Sequence, residues 1–268
     1  MKQRDYVHGY STREAQRLAD QANTLVELLH RDSIYSPNER ILEAGCGVGA
    51  QTITLAANSP KSQFVCIDIS ADSLEQAHKL TQSKGITNVE FQQADVFDLP
   101  FEPESFDHVF VCFLLEHLEE PIKVLLNLKK VLRRGGTLTA IEGDHGSAYF
   151  YPDSEYAKRA IQCLIDLQAE AKGNSLIGRQ LCPLLKECGF KDIKVSPRVV
   201  YADSSRPQMV KGFTKNTFTA MVDGVKEQAI GSGMIDEKSW EKGIADLYRS
   251  AEDDGVFNYT FFKAVGVK

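Results

Sequence analysis

A chain of 268 residues suits one α/β domain with additions, since single domains run to about 250 residues. A net charge of −6 and the lack of a Lys/Arg-rich stripe argue against nucleic-acid partners, because neutralising phosphates takes a basic surface. Met1-Lys2-Gln3-Arg4-Asp5 has no apolar segment behind it, and no later stretch approaches the roughly 18 uncharged apolar residues of a membrane span. A cytoplasmic protein with a small-molecule substrate is expected. The six cysteines are scattered and lack CxxC spacing, so they read as small buried hydrophobes and no metal site is expected.

Ser11-Thr12-Arg13-Glu14 is a capping box, in which a hydroxyl and a carboxylate satisfy free backbone N–H groups and start a helix. Leu18, Ala22, Leu25, Leu28 and Leu29 then recur at helical spacing, and this helix is predicted to end near His30. From Arg40 to Gly143, short β-branched runs alternate with amphipathic segments, the pattern of a parallel sheet with helices on both faces. Strands are predicted at Ile41 to Ala44, Phe64 to Ile69, Val89 to Gln92, Asp107 to Phe113 and Thr137 to Glu142. Helices are predicted near Ala50 to Ala57, Ala71 to Ser83, a short piece near Phe101, and Pro121 to Leu132. Lys129-Lys130 and Arg133-Arg134 cluster at the end of the last of these, where basic residues compensate the helix dipole.

Further helices are predicted at Asp153 to Ala171 and Ile177 to Cys188, the second stopping at Gly189. Two late strands, Ile193 to Tyr201 and Tyr259 to Val267, enclose a helical stretch, Arg206 to Asp254, too long for a plain connection. No repeat and no Pro/Gly/Ser linker divides the chain. We therefore expect a single domain: an N-terminal helical cap (1–35), a core (36–145), helices (146–190) and a helical insertion (205–255) that is a candidate lid or substrate wall, or else packs against the sheet edge.

Gly45, Gly47 and Gly49 lie between a predicted strand and helix, where glycine lets the backbone approach a ligand and the next helix offers free N–H groups. The same loop satisfies the dinucleotide fingerprint GxGxxG/A through Gly45, Gly47 and Ala50. Asp68 closes the second predicted strand, where a carboxylate can accept from a ribose diol of either cofactor class. Asp95 follows the third predicted strand and puts a second acid on the same edge.

The set Glu43-x-Gly45-x-Gly47-x-Gly49, Asp68, Asp95-Val96, Phe106-Asp107-x-Val109 and Leu132-Arg133-x-Gly135-Gly136 resembles the successive motifs of class I S-adenosylmethionine-dependent methyltransferases. The small-molecule subgroup similar to the menaquinone-biosynthesis enzymes is the nearest in pattern. The resemblance covers Arg40 to Glu142 closely, whereas Arg206 to Asp254 carries no assignable motif. It implies a Rossmann-like, doubly wound, seven-stranded sheet with an antiparallel last strand. It also implies that the backbone of Gly45, Gly47 and Gly49 faces the methionine part of S-adenosylmethionine, that Glu43 holds the loop or the ammonium, and that Asp68 binds the ribose. Ile69 and Val96 would sandwich the adenine, Asp95 would bond its amino group, Cys112 would lie near the methionyl carbons, and Tyr10 would close the methionine end.

The sulfonium methyl is already electrophilic, so alignment and exclusion of water carry most of the catalysis. A phenol or alcohol acceptor gains from a general base near the ends of strands four and five. His145, just past the fifth predicted strand, is the better-placed base, and His117, just past the fourth, is the other. Two rival readings share the glycine loop: an NAD-dependent oxidoreductase, against which Glu43 and Asp95 argue, and a non-catalytic module that binds S-adenosylmethionine.

Overall fold

In the computed structural model, which describes residues 24–268, the apolar run after Arg40 forms β1 (Arg40–Ala44). It pairs in parallel with β2 (Gln63–Asp68) on one side and β4 (Phe106–Cys112) on the other. β3 (Val89–Gln93) flanks β2, β5 (Leu132–Tyr151) flanks β4, and β7 (Val256–Val267) and β6 (Lys191–Ala202) complete the sheet, in the order β3-β2-β1-β4-β5-β7-β6. Gly135 and Gly136 meet Lys268, whereas Ser147 meets Thr260, so β7 runs antiparallel to β5. This is the expected seven-stranded arrangement. Strand order reverses between β1 and β4, and the carboxyl ends of strands at such a reversal are where open α/β sheets bind ligands.

Helices α2 (Thr52–Asn58), α3 (Ala71–Ser83), α4 (Pro121–Val131) and α6 (Leu181–Glu187) accompany the parallel strands, after α1, the helical residues 24–30. The Ser70 hydroxyl accepts the Ser73 N–H at 3.2 Å and starts α3, and proline opens α4, where a missing N–H costs nothing. Leu42, Ile67, Val109, Val111, Leu128 and Leu138 are wholly buried. Each such side chain contributes about 1.5–3 kcal/mol by leaving water.

The structure corrects two expectations. No helix forms near Phe101; the ring instead packs edge-on against Phe106, 5.0 Å away, so core packing rather than helix formation uses its apolar surface. β5 also continues past Glu142 through Gly143, Asp144 and His145 to Tyr151, because residues there lie along β7. α1 stops at His30 as the periodicity predicts, while the capping box at Ser11 and the candidate Tyr10 lie outside the described residues. The basic cluster after α4 is used within the fold: Lys129 donates to the carbonyls of Cys188 and Gly189 at 2.8 and 2.7 Å, and Arg133 pairs with Asp107 at 2.5 Å.

The described residues group into two compact units. The first comprises Val26–Glu142, Ile177–Arg198 and Phe262–Lys268, and the second comprises residues 24 and 25, Gly143–Leu176 and Val199–Phe261. In the second unit, α5 (Glu155–Glu170) packs against α10 (Glu237–Arg249), and Gly243 makes the approach close: a methyl there would lie 2.6 Å from the Tyr156 carbonyl oxygen. The insertion before α10 is helical as expected, comprising α7 (Pro207–Met209), a π-helical run at Val210–Thr219, α8 (Ala220–Asp223) and α9 (Lys226–Gly231). Among the described residues no helix is long and apolar enough to cross a membrane.

Candidate functional site

The glycine loop is built by hydrogen bonds that require its backbone conformation. Gly45, Gly47 and Gly49 have φ of 75°, 52° and 78°, a region that side-chain-bearing residues enter at a cost. The N–H groups of Gly45 and Cys46 both donate to the Ile67 carbonyl at the end of β2, and the Gly49 N–H donates to the Cys46 carbonyl at 2.9 Å. The three glycines then differ. A methyl on Gly45 would lie 2.8 Å from Leu114, and one on Gly49 would lie 2.9 Å from the Ala77 methyl, so these two are small for the sake of packing. Among the described residues, a methyl on Gly47 would meet no atom within 4 Å.

Asp68 is tied to that loop. Its carboxylate accepts the Gly47 N–H on one oxygen and the Ser70 N–H on the other, each at 2.9 Å. Burial raises its pKa, and the backbone N–H groups of Ser70, Gly47 and Ile69 work against that rise. A carboxylate offers about four lone-pair sites, so it can still accept from a ligand beside these donors.

Glu43, only 3 % exposed, accepts the Thr52 hydroxyl at 2.7 Å and the Cys66 thiol at 3.2 Å. It therefore holds the start of α2 and the loop between. Burial lifts its carboxyl to about 7, against the pull of these two donors. Burial likewise pushes the Cys112 thiol well above its ordinary range, with the charge of Glu142 adding to the effect.

At the end of β3, the Asp95 carboxylate accepts the Phe97 N–H at 2.9 Å and shapes the turn, while Ile69 and Val96 are half-buried. The Ala94 N–H donates to the Asp68 carbonyl, so the ends of β2 and β3 stay together. Glu43, the three glycines, Asp68, Ile69, Asp95, Val96 and Cys112 all fall in the first unit, at the strand ends or in the turns after them.

Sequence reasoning missed two supports of this site. Glu142, wholly buried at 0 % exposure, accepts the N–H groups of Leu114 and Leu115 at 3.1 and 2.8 Å, and so fixes the turn that places Leu114 against Gly45. Burial, and then the charge of Glu116, drives its pKa far above normal. Phe113 begins this turn with φ of 56°, a strained value for a bulky residue. The signal for Glu142 was present: an acid that directly follows the largely apolar stretch Leu138 to Ile141 of a predicted core strand has to meet donors.

The two candidate bases lie in different units. His117 ends the short 3₁₀ turn Leu115–His117 in the first, with its Nε2 3.5 Å from Glu116. His145 lies in the second, 5 % exposed, with Nδ1 2.8 Å from the Tyr259 hydroxyl. Asp144 beside it accepts the Gly146 N–H at 3.1 Å, a local turn bond. A surface groove of about 820 Å³ along α4 is lined by residues such as Ile122, Lys123, Leu126, Asn127 and Cys188, and none of the residues above lines it.

A family model described as a methyltransferase domain matches residues 35–183. A 37.1 kDa protein from a Streptomyces fradiae transposon is 34 % identical over 191 residues, which make up 70 % of this chain and 54 % of that protein. A demethylmenaquinone methyltransferase of Clavibacter sepedonicus is 38 % identical over 104 residues, 39 % of this chain and 41 % of that enzyme. The chain thus spans about half, or less, of the length of these curated relatives. In fold it is similar to the Haemonchus contortus phosphoethanolamine N-methyltransferase 2 solved with phosphomonomethylethanolamine and S-adenosylhomocysteine, with a TM-score of 0.57 and 18 % identity, covering 93 % of this chain and 53 % of that one. A looped strand end with three left-handed glycines, an acid bound to its middle N–H, and a family match across the strands that carry them identify the chain as a member of the class I, S-adenosylmethionine-dependent methyltransferase family.

Proposed function

We propose that the protein is an S-adenosylmethionine-dependent methyltransferase that acts on a small, hydroxyl-bearing acceptor by direct in-line methyl transfer. The observation that carries this reading is Gly47: its N–H is held by Asp68, and no atom of the described residues lies within 4 Å of where its side chain would begin. That combination fits a ligand lying on the loop backbone with its ribose hydroxyls on Asp68. The remaining roles follow the family pattern, with Ile69 and Val96 against the adenine, Asp95 on its amino group, Cys112 near the methionyl carbons and Tyr10 closing the methionine end.

The bound cofactor supplies a methyl group made electrophilic by a sulfonium. Glu43 holds the loop through Thr52 and Cys66, and Glu142 holds the turn that supports Gly45. His145 would take the acceptor hydroxyl proton as a general base and release it to water. Its burial and its bond to Tyr259 favour it over His117, whose ring nitrogen faces Glu116.

The test is transfer of label from methyl-labelled S-adenosylmethionine into a metabolite extract, with Asp68→Ala as control. We expect labelled product above that control, cut about 10²-fold or more in His145→Gln, as loss of a general base does. Label no higher than in the control would contradict the reading.

A further inference from the structure

Three elements of the second unit converge on one hydroxyl group. The Tyr259 oxygen on β7 lies 2.8 Å from Nδ1 of His145 on β5, both residues being 5 % exposed or less. The Tyr259 ring is held by Phe213 and Phe218, each with centroids 5.4 Å away, and by Phe261 at 4.7 Å. The imidazole stands edge-on to Phe218 at 6.0 Å, and its backbone N–H donates to the Ser175 carbonyl at 2.9 Å. Gly143 makes the arrangement possible: a methyl there would overlap the Tyr259 hydroxyl, although its φ is not one that needs glycine.

A buried tyrosine asks only that its hydroxyl find a partner, and a carbonyl would suffice. Here the partner is a ring nitrogen of a histidine, and which nitrogen carries the proton depends on which bond the other makes. Phe213 and Phe218 come from the π-helical run, a geometry found frequently at functional sites. On the same run the hydroxyls of Thr214 and Thr219 are buried and make no hydrogen bond among the described residues, which is the polarity that a hydroxyl-bearing ligand would satisfy.

We propose that Tyr259 is a positioning residue for His145: its hydroxyl accepts the Nδ1–H and leaves the lone pair on Nε2, where the acceptor's proton is received. This rests on the reading of His145 as the base. Were the hydroxyl to donate instead, the proton would sit on Nε2 and that nitrogen could take none. Gly143 is the residue that keeps Tyr259 within reach.

The full chain, with histidine rings labelled with nitrogen-15, tests this by nuclear magnetic resonance, the His145 signals being assigned among the six histidines by their loss in His145→Gln. In the wild type above the imidazole's titration we expect one tautomer, protonated at Nδ1. In Tyr259→Phe, and in Gly143→Ala, which retains both side chains but displaces the hydroxyl, we expect averaged shifts from mixed tautomers. S-adenosylhomocysteine binding is measured on each variant to show that the fold is kept. A wild-type proton on Nε2, or an unchanged tautomer in both variants, would overturn the proposal. The readout needs neither acceptor nor turnover, so it stands apart from failure of the methyl-transfer assay.

Discussion

Gly47 and Gly49 share a loop and a left-handed backbone, yet they answer to different demands. At Gly49 an alanine methyl would press on Ala77 of α3 at 2.9 Å, so Gly49→Ala should lower stability by about 1–3 kcal/mol through overpacking, in addition to a left-handed penalty of about 1–2 kcal/mol. At Gly47 no described residue stands in the way, so Gly47→Ala should incur the left-handed penalty of about 1–2 kcal/mol while S-adenosylhomocysteine binds much more weakly. Thermal melts and calorimetric titration of the pair separate the two, and a Gly47→Ala protein that binds like wild type would rule out cofactor contact there. Glu43 gives a second expectation. Its folded pKa of about 7 lies above the ordinary 4.5, so the protonated form suits the fold, and the stability tied to this group is present below about pH 4.5 and is lost as pH rises through 7. The full span is about 3 kcal/mol. Glu43→Gln should flatten the dependence of the melting temperature on pH between 4.5 and 8, and an unchanged slope would show that Glu43 is not held protonated.

Among the elements, the segment just after α1 is tied to the late strands by charge. Asp32, just past α1, pairs with Arg198 of β6 and, at 2.7 Å, with Lys263 of β7, whose side chain is 5 % exposed and also donates to Ser33 at 2.8 Å. Burial alone would raise the Asp32 pKa, but the hydrogen bonds from Lys263 and Arg198 bring it down to about 2. Its contribution to stability is therefore present above about pH 4 and is lost as pH falls towards 2. Asp32→Ala leaves two cations with no acid between them, and since Asp32 is itself half-exposed a loss of about 1–2 kcal/mol in urea unfolding at neutral pH is expected. A shift below about 0.5 kcal/mol would show that water replaces the carboxylate without cost. None of this network could be read from the chain, since Asp32, Arg198 and Lys263 have no local pattern and meet only when β6 and β7 reach the sheet. The strands themselves were legible, because two-residue alternation and short apolar runs report burial on a sheet. The end of β5 was misplaced for the same reason: Gly143 and Asp144 look like a turn, and only pairing with β7 extends the strand through them.

At the scale of the molecule, the residues proposed for the cofactor carry a pattern in the sequence, and the partner of His145 does not. Glycine spacing, Asp68 and Asp95 are local signals set by one backbone turn and by the ends of neighbouring strands, so they survive in the sequence. Tyr259 and the rings of Phe213 and Phe218 lie in β7 and in an insertion without a motif, so their pairing with His145 emerges only from the fold. The division of labour predicted here, with a glycine loop and Asp68 binding the donor, is tested most directly by isothermal titration of the full chain with S-adenosylhomocysteine and with NADH. The account predicts micromolar-range binding of S-adenosylhomocysteine, weakened about 10-fold or more in Asp68→Ala as lost hydrogen bonds to a charged group require, and no heat with NADH. Binding of NADH without binding of S-adenosylhomocysteine would contradict it.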